Sequence, residues 1–173
     1  MSLIEGRQDG MTPAPMLTAD ASKISTGLDE MIIFPESSFF QQGRGPALPT
    51  PAEIRAINKE LGHVVATPAV IIPSLGLVVK YGRRVTVAEA QTQMMMREVL
   101  QGQVSVPEVF GLTEDGGQRF IYMSLIEGET LQERWADMNE DERRAVCEEL
   151  KRAVKVWKAL EQDKHDRYIG ELL

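Results

Sequence analysis

Cysteine is nearly missing from this 173-residue chain. With Cys147 alone, no intramolecular disulfide can form, which suits a reducing compartment such as the cytoplasm. Histidine is equally scarce. His63 and His165 cannot assemble a metal cluster between them, and His63 reads as a polar residue at a strand boundary. No stretch approaches eighteen consecutive apolar residues, so no membrane span is expected. The N-terminal MSLIEGRQDG lacks the apolar run of a secretory signal. A cationic excess is lacking too: the net charge of −7 argues against a nucleic-acid binder, which needs clustered Lys and Arg to neutralise phosphates. Arg44 between two glycines in GRGPALPTP (43–51) does not make a phosphate loop, because no Gly-Lys-Ser/Thr follows and no strand precedes it. No internal repeat is visible.

What is present is an ordinary soluble composition, 43% apolar, enough for a sizeable core. Residues 1–49 show neither helical nor strand period and are expected to be a flexible tail and linker, although MIIFPESSFF (31–40) is apolar enough to dock. Thr50, Pro51 and Glu53 then open a helix with a capping box; Ile54, Ile57 and Leu61 share one face and Gly62 stops it. Val64-Val65, Val70–Ile72 and Leu77–Val79 are short β-branched runs divided by turn residues, which predicts strands. A helix follows from Thr86, with Met94, Met95 and Met96 as core filler. Strands over 106–112 and 119–126 flank a hairpin turn containing Asp115-Gly116. Thr130 and Glu133 cap a short helix, and Asn139 with Glu142 opens a long one over about 140–161. Its apolar stripe is Val146, Leu150, Ala153, Trp157 and Leu160, and its charges read as a solvated face.

Lys80 ends the third strand run and Glu89 lies nine residues on, at the start of the next helix. Taken singly each has a structural explanation. A terminal strand lysine extends its ammonium into water, and Glu89 holds the capping-box position of its own helix.

Taken in order, VVKYG (78–82), EA (89–90), VPEVFG (106–111), IYMSLIEGETL (121–131), a tryptophan-bearing helix and YIG (168–170) resemble the fungal branch of the aminoglycoside phosphotransferase/choline-kinase-like family. The resemblance covers roughly residues 60–173 and implies an α+β fold. That fold is a protein-kinase-like small lobe over 50–127, five antiparallel strands with one inserted helix, and the first helices of a truncated large lobe over 128–173. It further implies an ATP site: Lys80 on the α- and β-phosphates, Glu89 as its ion-pair partner, Met123 lining the adenine pocket, and the backbone of Ser124 to Ile126 bonding adenine. Gly128 would turn the chain into the large lobe.

Departures from the family pattern bear on activity. GHVVATPAV offers one glycine where kinases use several, and Ser124 stands where an acidic residue is common. No H-x-D or D-F-G motif follows the last helix, and His165-Asp166 lacks the downstream asparagine. The expectation is a kinase-like domain inactive as this chain, with no catalytic or metal residues, ATP weak or vestigial and magnesium not held by the chain alone. The alternatives are a non-catalytic nucleotide-binding or protein-interaction module, or a degenerate fragment. The expected partners are a small-molecule substrate of unassigned identity and a protein covering the open lobe face.

Overall fold

The computed structural model describes residues 30–60 and 69–159. The expected strand at Val64-Val65, along with His63, Gly62, Leu160, His165 and the YIG segment, lies outside the described residues. The described chain runs β1 (Ile32–Ile33), α1 (Ser38–Gln41), α2 (Pro51–Glu60), β2 (Ala69–Ile72), β3 (Leu77–Gly82), α3 (Val87–Val99), β4 (Val109–Asp115), β5 (Gln118–Ser124), α4 (Leu131–Arg134) and α5 (Glu140–Lys158). The class is α+β, and the five strands form one antiparallel sheet in the order β1-β4-β5-β3-β2.

One strand of the five comes from an unexpected place. Ile32 and Ile33 pair with Leu112 and Gly111 of β4, so the sheet's edge is built from the segment read as tail. Phe39 is fully buried against Phe110, and Leu48 joins the same core. The tail-and-linker expectation for 1–49 therefore fails from about residue 31 onward. Pro35 and a strand of only two residues hide the element from any search for periodicity. The close approach leaves a mark at Gly111, where a Cβ would stand 2.7 Å from the Ile32 carbonyl oxygen and 2.8 Å from Leu48.

Alternation along β3 sorts the two faces of the sheet. Leu77, Val79 and Tyr81 point into the larger core, beneath α2 and the α1 segment, with Val70, Phe120 and Tyr122. The burial of Tyr122 pushes its phenol up from its ordinary value. Arg55 of α2 clamps this layer by donating to the Asp115 carbonyl (2.7 Å) and to Gln118 (2.9 Å), with its guanidinium over Phe120. Among the described residues the opposite face is covered in part by α3, whose Ala90 and Met94 pack with Val109, Ile121 and Met123, and by Phe34. Met95 and Val99 of the same helix face solvent, so only part of the methionine run serves as filler.

The hairpin is tighter than the 113–118 turn expected. β4 continues to Asp115, and only Gly116 and Gly117, both at positive φ, make the turn. That geometry matches the right-handed twist of the flanking strands. Both late capping boxes form as the spacing predicts, at Thr130–Glu133 and Asn139–Glu142. No residue of α4 or α5 is buried, so the apolar stripe of α5 faces outward. Among the described residues no helix is long and apolar enough to cross a membrane.

Candidate functional site

Strand parity places Lys80 and Val78 on the face that carries α3, because their neighbours Leu77, Val79 and Tyr81 fill the other side. Thr86, just beyond the end of β3, caps α3: its hydroxyl accepts the Glu89 N–H at 3.2 Å. Glu89 is thereby held at the helix start, and its carboxylate accepts a hydrogen bond from Lys80 Nζ. The two side chains are about one-third exposed, Lys80 at 37% and Glu89 at 34%.

The other helix starts show what is particular about Glu89. Glu53, Glu133 and Glu142 occupy the same third position in their helices. Each reaches back to the backbone N–H of its cap residue, at 2.7, 2.9 and 2.8 Å. Backbone and side-chain donors of Thr50 hold the Glu53 carboxyl below the usual carboxylate range, and Thr130 does the same for Glu133. At Glu89 the reciprocal bond is absent. Its carboxylate is spent on Lys80 instead. The capping explanation for this glutamate accounts for its backbone but not for its side chain.

Next to the ion pair lies an apolar shelf that is partly uncovered among the described residues. Across β3 the register sets Val78 opposite Ile71 on one side and Met123 on the other, and sets Lys80 between Ala69 and Ile121. These two rows share one face, about 7 Å apart along the strands. Ile121 lies under α3, but Val78 and Met123 are half-buried and Ala69 and Ile71 are exposed. Met123 thus lies on the same face of the sheet as Lys80. Val78, Ala69 and Ile71 were not singled out from the sequence; two-residue parity with Lys80 signals Val78, while Ala69 and Ile71 follow only once the strand register is known.

The segment after β5 divides. Ser124 N–H donates to the Glu108 carbonyl (2.8 Å), and its hydroxyl accepts the Glu108 N–H (2.8 Å). Leu125 N–H donates to the Gly76 carbonyl (2.9 Å). These amides are committed to fastening the strand end, so Ser124 is a structural residue in both its backbone N–H and its side chain. Ile126 is exposed, and its amide has no partner among the described residues.

Among the described residues no three His, Cys, Asp or Glu side chains gather to hold a metal. The arrangement can do two things chemically. It offers an ammonium fixed by a carboxylate, and beside that ammonium a partly exposed apolar row of Val78, Ile71 and Met123. The chain matches no family model, no curated protein and no solved structure.

Proposed function

We propose that this chain is a kinase-like nucleotide-binding domain of aminoglycoside phosphotransferase/choline-kinase type, which binds ATP without transferring its phosphoryl group. The observation that carries the reading is Glu89, which forgoes the capping bond made by its three counterparts in order to hold the Lys80 ammonium. An ammonium kept in place by a carboxylate is pre-organised to meet phosphate oxygens, and the charge it presents does not have to be collected from solvent at the moment of binding. The adenine would lie on Val78, Ile71 and Met123, with Ile126 as the backbone group nearest to hand for its edge.

No residue of the chain is assigned to proton abstraction. In this reading magnesium arrives on the nucleotide, held by its phosphates and water. Binding is therefore the proposed activity, and the acceptor substrate is left unassigned.

A titration of the chain with Mg-ATP, followed by amide and methyl NMR shifts, tests this. Shifts are expected at Val78, Lys80, Met123 and Ile126, with a Kd of about 0.1–1 mM, or about −4 to −5.5 kcal/mol. Lys80→Ala should weaken binding about tenfold, about 1.4 kcal/mol, as loss of one partly exposed charge-assisted contact implies. Absence of shifts on that face, or an undiminished affinity in Lys80→Ala, would remove the nucleotide reading. A protein-interaction role is the second reading, favoured by the outward apolar stripe of α5.

A further inference from the structure

The turn between β3 and α3 reads Arg83-Arg84-Val85-Thr86-Val87, with arginines at the second and third positions before a threonine and an apolar residue after it. No other serine or threonine of the chain has a basic residue at both of those positions. Protein kinases choose acceptor hydroxyls by short charge patterns of this kind, because paired guanidiniums fit carboxylates in the kinase's peptide groove.

The fold leaves each part of the pattern available. Val85 is fully buried with Ala90, Val109 and Ile121, so the turn is anchored there. Arg83 and Arg84 are exposed, and neither makes an ion pair or a side-chain hydrogen bond among the described residues. Thr86 is half-buried, with an extended backbone at φ −120° and ψ 155°. Its hydroxyl differs from those of the other threonine caps. Thr50 and Thr130 donate their hydroxyl protons to Glu53 at 2.8 Å and to Glu133 at 2.7 Å. With the Glu89 carboxylate drawn to Lys80, the Thr86 hydroxyl accepts the Glu89 N–H and donates to nothing among the described residues.

We propose that Thr86 is a phosphorylation site for a basic-directed protein kinase, and that its phosphate takes the Lys80 ammonium from Glu89. In the transfer the bond between Thr86 Oγ and the γ-phosphorus of the kinase's ATP forms as the bond from that phosphorus to ADP breaks, and the hydroxyl proton passes to the kinase's catalytic aspartate. The product sets about two negative charges on the cap of α3, where backbone N–H groups and the helix dipole favour them. Glu89 carries like charge three residues on, so two anions compete for one ammonium and the phosphate is the more highly charged. This site does not depend on the nucleotide reading.

The folded full chain, incubated with Mg-ATP and the catalytic subunit of a cyclic-AMP-dependent protein kinase, should take up a single phosphate that peptide mass spectrometry maps to Thr86. Thr86→Asn keeps a side-chain oxygen to cap α3 and has no hydroxyl to modify, so it should abolish labelling with an unchanged circular dichroism spectrum. Thr86→Ser keeps both cap and hydroxyl and should still be labelled. Arg83→Ala and Arg84→Ala should each lower kcat/KM for labelling about tenfold, as loss of one charge-assisted contact implies. In NMR spectra the Lys80 Nζ and Glu89 carboxyl-carbon signals should both move on phosphorylation. Absence of labelling in the folded chain, labelling that persists in Thr86→Asn, or labelling indifferent to both arginines would overturn the site. Unmoved Lys80 and Glu89 signals in the phosphorylated chain would overturn the exchange of partners.

Discussion

Lys80→Met and Glu89→Gln, made singly and together, close a double-mutant cycle around the ion pair, and its coupling energy decides whether the pair exists for stability. Both side chains are about one-third exposed, so water screens their attraction and two long side chains lose rotamer freedom to hold one geometry. On that basis the pair contributes about 0.5 kcal/mol to folding, and not above about 1 kcal/mol. Gln at position 89 keeps the backbone N–H that Thr86 caps, so the helix start is undisturbed and the cycle reports the pair alone. In urea, with a slope of about 1–3 kcal/mol per molar, the coupling should amount to a midpoint shift of a few tenths of a molar. It should shrink in about 1 M salt, where the Debye length falls to about 3 Å. A coupling of about 2 kcal/mol or more, insensitive to salt, would place the pair among buried structural contacts and refute the argument that Glu89 is held for a ligand.

Phe39→Ala should destabilise the protein by about 3–5 kcal/mol in the same urea assay, since the ring is fully buried between Phe40 and Phe110; a loss under about 1 kcal/mol would return residues 31–48 to the status of a tail. Ser124→Ala orphans the Glu108 N–H and should cost about 1–3 kcal/mol while leaving Mg-ATP affinity within about twofold, a split measured by pairing the unfolding and titration experiments. The Glu53 and Glu133 carboxyls are held below their ordinary value by their caps, so the stability they supply is present above the usual carboxylate range and is lost as pH falls through their lowered values. Amide shifts of Thr50 and Thr130 should accordingly move together with fraying of α2 and α4 at the acid end of a pH titration, and Glu133→Gln should remove that movement at Thr130 only.

The ingredients of the ion pair were legible because they are local, whereas the pairing itself was expected only through the family resemblance. A β-branched run, a lysine, a tight turn and a threonine three residues before a glutamate each speak through nearest neighbours. The same holds for the presence of a hairpin within 113–118, though not for its tightness, and for the capping boxes of α4 and α5. What escaped depends on pairing at a distance. Ile32 and Ile33 become a strand only because β4, some eighty residues later, supplies their hydrogen bonds. Ile71 joins the shelf only because β2 aligns it with Val78. Periodicity identified the apolar stripe of α5 correctly, yet it reports a face and not whether anything covers that face.

Glu108 shows why the misread N-terminal segment bears on the site. Its carboxylate accepts the N–H of Ser38 at 3.1 Å and the Ser38 hydroxyl at 2.5 Å, at the first turn of α1. The same carboxylate stands 3.7 Å from Arg97 near the C-terminal end of α3, and Arg97 also donates to the Val106 carbonyl at 2.6 Å. Its backbone N–H and carbonyl both engage Ser124 at the end of β5. One partly buried residue thus fastens α1, the helix that bears Glu89, and the strand end that leads to Ile126. Partly buried charge-assisted bonds of this kind hold geometry more firmly than exposed ones. A segment more than forty residues upstream in the chain thus shares a partner with the C-terminal end of α3. Ser38→Ala is therefore expected to loosen Glu108 without touching Lys80, which amide shifts of α3 and of Lys80 would register.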